Sequence, residues 1–187
     1  LTYDKELFYN INVKATNDLL KKSKENGIKK FIYLSAAPVV PGSPIINLSE
    51  KDAGKKLPKA LYPKTKAIAE KSVLQANTQT FVTISLRPPA IWGPNNPHYD
   101  DLLENVKKGK WKWIGGGHQI LSTIHVKNLA NAVICALNSN KGGEAYFVTD
   151  GDRRSVRKTF TAILNAEGLD PGEKELPRSI ALVFAHF

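Results

Sequence analysis

Two short apolar runs, "KKFIYLS" (residues 29–35) and "FVTISLR" (residues 81–87), limit what this chain can fold into more than any other feature. Each is too short for a stable helix and is rich in β-branched and aromatic residues, the signature of a buried strand. Between them, residues from Tyr62 to about Ala76 return to helical period, with Pro63 tolerated in the first turn. Strand, helix, strand with both strands buried is the pattern of a parallel sheet joined by crossovers. The flanks continue it. A helix is expected from about Glu6 to Asn26 (Leu7, Ile11, Val13, Leu19, Leu20), stopped by Gly27. Further on come a helix from Asn128 to Leu137, the strand "AYFVT", and a helix from Ser155, its N-cap, to Glu167. "APVVPGSP" and the Pro88-Pro89 pair close the two central strands. From Gly93 the pattern is less regular, with a short helix near Asp100 to Lys108 and extended pieces "WKWI" and "ILSTIHV".

Composition narrows the class. Hydrophobic residues are 42% and charged residues 24% of 187, which suits a packed domain and excludes a disordered chain. A net charge of +10 raises nucleic acid or an acidic membrane as partners, but the lysines are spread along helices rather than gathered in a tail. A solvated basic surface with no specific nucleic-acid partner is therefore expected, and membrane association stays open. Cys135 is the one cysteine, so no intrachain disulfide and no cysteine-rich metal site can form. In the apolar run "NAVICAL" it is expected to be a buried structural thiol, and a reducing, cytoplasmic compartment is expected. No metal site is expected. The chain contains no methionine, and it is expected to be a piece of a longer protein.

The candidate chemistry lies in "LYPKTKAIAEKSVL". Tyr62 and Lys66 are four apart, hence one turn apart on one helix face. A nearby ammonium favours phenolate and lowers a tyrosine's pKa from about 10, as a tyrosine general acid/base requires. Of six tyrosines only Tyr62 has lysine at the fourth position, a match that chance explains equally well. Position strengthens it, because the helix follows the strand ending in Ser35, and chemistry in open parallel sheets gathers beyond the carboxyl ends of strands. Ser35 joins the candidates; alternatively its hydroxyl merely bonds its own backbone.

The ordered segments "INVKATNDLLKKSKENGIKKFIYLSAAPVV", "YPKTKAIAE", "LRPPAIWGP", "TIHVKNLANA" and "GGEAYFVTDGD" resemble the extended short-chain dehydrogenase/reductases, the NAD(P)-dependent epimerase/dehydratase-like proteins. Within that superfamily the chain looks closest to the 3β-hydroxysteroid dehydrogenase-like branch. The resemblance implies the C-terminal half of a doubly wound Rossmann-like parallel sheet, with a small substrate-side region. Residues 1–92 would hold the Ser/Tyr/Lys elements, and residues 93–187 a mixed region interwoven with the last strand in the same structural unit. It implies NAD or NADP as cofactor, a small-molecule substrate, and a homodimer as an open possibility. Tyr62 would be the catalytic acid/base. Lys66 would hold the nicotinamide ribose and lower the pKa of Tyr62, Pro88 and Pro89 would line the nicotinamide side, and Asn12 would support the constellation.

Departures from the pattern matter as much. The strand end usually carries two hydroxyl residues, the second polarising the substrate; here Ala36 follows Ser35. Either Ser35 substitutes or catalysis is impaired, since losing one such donor costs ~10²-fold or more. Trp92 replaces the tyrosine common in "IYGP". The glycine-rich phosphate-binding turn is not in this sequence, because "IGGGHQ" (residues 114–119) has no helix after it and reads as a turn. The chain by itself is therefore expected not to bind dinucleotide tightly. Leu121 stands where sugar-nucleotide relatives often place a phosphate-gripping arginine, which favours a less polar substrate. His125 reads as structural, while His98, Trp111 and Trp113 read equally as pocket lining or core. The leading expectation is hydride transfer between nicotinamide and a secondary alcohol or ketone, hydroxysteroid-like or sugar-like. Its alternatives are a catalytically impaired dinucleotide-binding regulatory relative and a nucleic-acid binder.

Overall fold

A computed structural model describes residues 4–41, 48–53, 56–94 and 96–184. In chain order it contains α1 (Lys5–Tyr9), a π-helical segment (Asn10–Lys14), α2 (Ala15–Glu25), β1 (Lys30–Leu34), α3 (Leu61–Gln75), β2 (Val82–Arg87) and β3 (Ala90–Trp92). Then follow α4 (Pro97–Lys107), β4 (Trp113–Ile114), β5 (Ile120–Leu121), β6 (Thr123–His125), α5 (Val126–Asn138) and β7 (Glu144–Phe147). The chain continues through β8 (Arg154–Ser155), α6 (Val156–Ala166), β9 (Glu175–Leu176) and α7 (Arg178–Phe184). Two compact units form, one from residues 1–91 and 124–149, the other from residues 92–123 and 150–187. The end of the proline-rich break after β1 falls within residues 42–47, outside the described residues.

The first unit is built on a parallel sheet in the order β1–β2–β7, with Ile32 level with Ile84 and Leu86 level with Tyr146. This is the α/β arrangement that the two apolar runs require. Strand alternation sends successive side chains to opposite faces. On one face Tyr33 and Phe81 pack with Leu20 of α2 and with Ala69 and Val73 of α3. On the other, Ile84 and Leu86 pack with Ile32, Tyr146 and the Ala132, Val133 and Ala136 stripe of α5. The fully buried valine, leucine, isoleucine and phenylalanine side chains among them each contribute roughly 1.5–3 kcal/mol of transfer free energy.

Local signals set the element ends. The Asp4 carboxylate accepts from the backbone N–H groups of Glu6 and Leu7 and starts α1. Gly27, at φ 68°, ends α2, and the N–H of Ile28 returns to the carbonyl of Ser23. His125 accepts from the N–H of Lys127 through Nδ1 and caps α5, so it does serve structure. The Ser155 hydroxyl caps α6 as expected, accepting from the N–H of Lys158.

Cys135 corrects the sequence reading. Its thiol is exposed, because α5 turns its 129, 132, 133 and 136 positions inward and leaves Ile134 and Cys135 outside. "NAVICAL" is apolar nearly all round, so the run alone does not fix which stripe faces the sheet.

In the second unit β4 pairs parallel with β9, and β5 antiparallel with β8. Trp113 is buried at its centre and donates its indole N–H to the carbonyl of Gly172. Trp111 meets it edge-on at 5.4 Å, and Phe160 meets Trp111 at 6.2 Å. These two tryptophans thus pack as core. The side chain of His98 lies outside the described residues. "IGGG" is a tight turn, with Gly115, Gly116 and Gly117 at φ 54°, 70° and 68°. Among the described residues no helix is long and apolar enough to cross a membrane.

Candidate active site

Helix α3 begins at Leu61 without a side-chain cap, and Pro63 sits in its first turn, where a missing N–H breaks no helical bond. Its first turn is tied down another way. The Thr65 hydroxyl is buried and reaches the carbonyls of Leu61 (3.1 Å) and Tyr62 (3.0 Å). It also accepts from Asn12 Nδ2 at 3.0 Å. Asn12 lies in the π-helical segment between α1 and α2, a local widening that recurs at functional sites. The "INVKAT" and "YPKTK" motifs therefore meet through one side-chain bond, immediately beneath Tyr62.

Lys66, one turn further along α3, reaches back to the end of β1. Its Nζ donates to the carbonyl of Leu34 at 2.6 Å and stands 4.2 Å from the ring centroid of Tyr33. Burial lowers its pKa, and the Glu70 carboxylate offsets part of that. Tyr62 is 47% exposed, so its phenol is open to a ligand. Burial of its other half raises its pKa above the ordinary tyrosine value. The expected direction was the reverse. The Lys66 ammonium is committed to Leu34 and Tyr33, and desolvation of Tyr62 decides the sign.

Ser35 is buried, its N–H paired with the carbonyl of Leu86 at 2.8 Å, and its hydroxyl has no hydrogen-bond partner among the described residues. The alternative that it bonds its own backbone is thus not realised. Ala36 follows in extended conformation and is buried. The N–H of Ala37 donates to the carbonyl of Pro88 at 2.9 Å, so the ends of β1 and β2 run on side by side. Pro88 is buried and Pro89 half-buried. Tyr62, Lys66, Ser35 and the two prolines thus share the carboxyl edge of the parallel sheet, where ligands of such sheets bind. No hydrogen bond joins Ser35 to Tyr62.

Sequence reasoning missed the buried charges behind this edge. Arg87 and Glu70 are 3% and 4% exposed and form a forked pair, with Nη2 to Oε1 at 2.7 Å and Nε to Oε2 at 3.0 Å. The Ser85 hydroxyl adds a bond to Glu70 at 2.8 Å, and the Thr83 hydroxyl donates to the carbonyl of Val73. The signal was the alternation Thr83, Ser85, Arg87 within an otherwise apolar strand, facing a glutamate on the next helix. In the second unit, Leu121 on β5 lies opposite Arg154 of β8.

Known proteins resemble this chain in sequence and in fold. Residues 2–178 match the model of the 3-beta hydroxysteroid dehydrogenase/isomerase family. The chain is 33% identical over 181 residues to a 4-hydroxy-2-methyl-3-oxo-4-farnesyl-3,4-dihydroquinoline-1-oxide ketoreductase of Stigmatella aurantiaca, covering 96% of this chain and 54% of that protein. It is 30% identical over 183 residues to the decarboxylating sterol-4-alpha-carboxylate 3-dehydrogenase of Dictyostelium discoideum, covering 93% and 56%. The chain therefore spans about half the length of these curated relatives. The fold matches that of a UDP-glucuronic acid 4-epimerase from Bacillus cereus, solved in complex with NAD. The TM-score is 0.80 and the identity 19%, over 95% of this chain and 60% of the epimerase. With its motifs in order, its sheet parallel and its Tyr62–Lys66 helix at the sheet's carboxyl edge, this chain belongs to the 3-beta hydroxysteroid dehydrogenase/isomerase family.

Proposed function

We propose that this chain carries the proton-handling part of an NAD(P)-dependent oxidoreductase that interconverts a secondary alcohol and a ketone on a small, largely apolar molecule. The observation that carries the reading is Lys66 held at the carboxyl end of β1 one helical turn beyond a half-exposed Tyr62. Tyr62 is the acid/base. A neutral phenol is the form that donates a proton to an oxygen gaining negative charge during reduction; burial raises the Tyr62 pKa in the ligand-free chain, which works against that transfer. Lys66 would hold the ribose of the dinucleotide, with Pro88 and Pro89 lining the nicotinamide side. An ammonium held at the strand end and an unpartnered buried hydroxyl on the next residue suit such a ligand. A bound nicotinamide would supply or accept the hydride.

Ser35 takes the place of the second hydroxyl, because its oxygen is free to turn toward a substrate oxygen by a small shift of the strand end. Leu121 and the ketoreductase and sterol dehydrogenase relatives favour an apolar ketone or alcohol over a sugar nucleotide. We assign the protein to a reducing, cytoplasmic compartment, without nucleic acid as a specific partner.

A second reading, a dinucleotide-binding relative with impaired catalysis, is favoured by Ala36. Turnover by the full-length protein decides between them. Tyr62→Phe is expected to lower kcat by ~10²–10⁴-fold while dinucleotide binding persists. Equal turnover in both proteins, or none in either, would sink the enzyme reading.

A further inference from the structure

We propose that Tyr33 is a positioning residue for Lys66, its ring serving as the platform that holds the ammonium against the carbonyl of Leu34. This rests on the reading of Tyr62 and Lys66 as the proton-handling pair. A lysine side chain is a flexible four-carbon stem ending in a compact charge, and one hydrogen bond leaves it free to swing. The bond to Leu34 fixes the distance from Nζ to the strand end at 2.6 Å. The ring face of Tyr33, with its centroid 4.2 Å from Nζ, closes off a second direction, well within the ~6 Å over which a ring attracts a cation.

Tyr33 suits this role and no other at the site. It is 8% exposed, so substrate cannot reach it as it can reach Tyr62. It packs in one buried cluster with Leu20 and with Ala69 and Val73, from two helices, and with Phe81, just before β2. Burial pushes its pKa far up, so the ring acts through its neutral π face and never as a phenolate. Its hydroxyl has no hydrogen-bond partner among the described residues. Thr16 lies beside it and gives its own hydroxyl proton to the carbonyl of Asn12 at 2.8 Å, so toward Tyr33 it can only accept. The ring face is what meets Lys66, and Tyr33→Phe separates its contribution from that of the hydroxyl.

The test uses the full-length protein with ¹³C-labelled lysine, and Lys66→Arg assigns the Lys66 signal. A cation over a ring face has its ε-methylene protons shifted upfield of those of the other lysines. That shift is expected in wild type and in Tyr33→Phe, and is expected to vanish in Tyr33→Leu. Tyr33→Phe should turn over as wild type does, whereas Tyr33→Leu should lose about 2- to 30-fold in kcat, the range a cation–π contact spans. An unshifted Lys66 signal in wild type would overturn the proposal, as would equal losses in Tyr33→Phe and Tyr33→Leu. Should Tyr33→Leu fail to fold, the wild-type and Tyr33→Phe spectra still decide. The two ideas separate cleanly. If the shift behaves as expected but Tyr62→Phe turns over normally, the proton-handling reading falls while the placement of Lys66 by Tyr33 stands.

Discussion

Replacing Arg87 by methionine removes the guanidinium that compensates Glu70, and the buried pair offers the sharpest energetic test of this structure. Wild-type Glu70 receives bonds from Arg87 Nε and Nη2 and from the Ser85 hydroxyl. In Arg87→Met only the Ser85 hydrogen bond remains, and a 4% exposed carboxylate loses its ion pair, keeping only the field of Lys66. Breaking a buried pair from one side costs about 3–5 kcal/mol. Arg87 also donates to the carbonyl of Glu50 at 3.3 Å and lies 5.4 Å from the ring centroid of Phe147, which adds about 1 kcal/mol. Glu70→Leu alone strands the guanidinium and should cost a similar amount. The double variant leaves no charge to solvate and should be more stable than either single one, within about 2 kcal/mol of wild type. Urea unfolding of the four full-length proteins, followed by far-ultraviolet circular dichroism, gives the cycle. A loss below about 1 kcal/mol for Arg87→Met, the scale of an exposed pair, would refute the reasoning. So would a double variant as unstable as the two single losses added together.

Three further outcomes are expected. Because Ser35 supplies the donor, Ala36→Ser, which adds a second strand-end hydroxyl, should change kcat by far less than the ~10²-fold one such donor is worth; a gain of that size would show that Ser35 does not substitute. The phenolate absorbance that Tyr62→Phe removes should develop, in the cofactor-free full-length protein, only above the ordinary tyrosine value of about 10, because burial raises the pKa of Tyr62. Development below that value would show the field of Lys66 outweighing burial. Gly117→Ala places a Cβ 2.9 Å from Arg157 Cβ and 3.1 Å from the Trp113 ring at φ +68°, whereas Gly151→Ala at φ +75° meets nothing within 4 Å. Thermal unfolding should show a loss of ~1–2 kcal/mol for Gly151→Ala from backbone strain alone and a clearly larger one for Gly117→Ala.

What could be read directly follows from short-range chemistry. The runs around Phe31 and Ile84 are strands, Gly27 and Ser155 end and begin helices, and "IGGG" turns, each through the residues' own backbone preferences. Tyr62 and Lys66 share a helix face by spacing alone. Motif order pointed to the family because five local patterns had to occur together. Cys135 was misjudged for the opposite reason: an evenly apolar helix presents several stripes, and the sheet selects one.

The amino-acid sequence by itself thus determined the main elements of the first unit, their α/β alternation and the one-turn spacing of the candidate pair Tyr62 and Lys66, all set within a turn or two of chain. Tertiary structure decided what those residues experience. Only the packing of α3 on β1 and β2 brings Lys66 to Leu34 and Tyr33, 32 residues away for Leu34. The same packing joins Asn12 to Thr65 across 53 residues and buries Glu70 against Arg87. It also raises the Tyr62 phenol where spacing alone pointed down. Desolvation, ring faces and backbone carbonyls are properties of neighbours in space, and a spacing pattern carries no record of them.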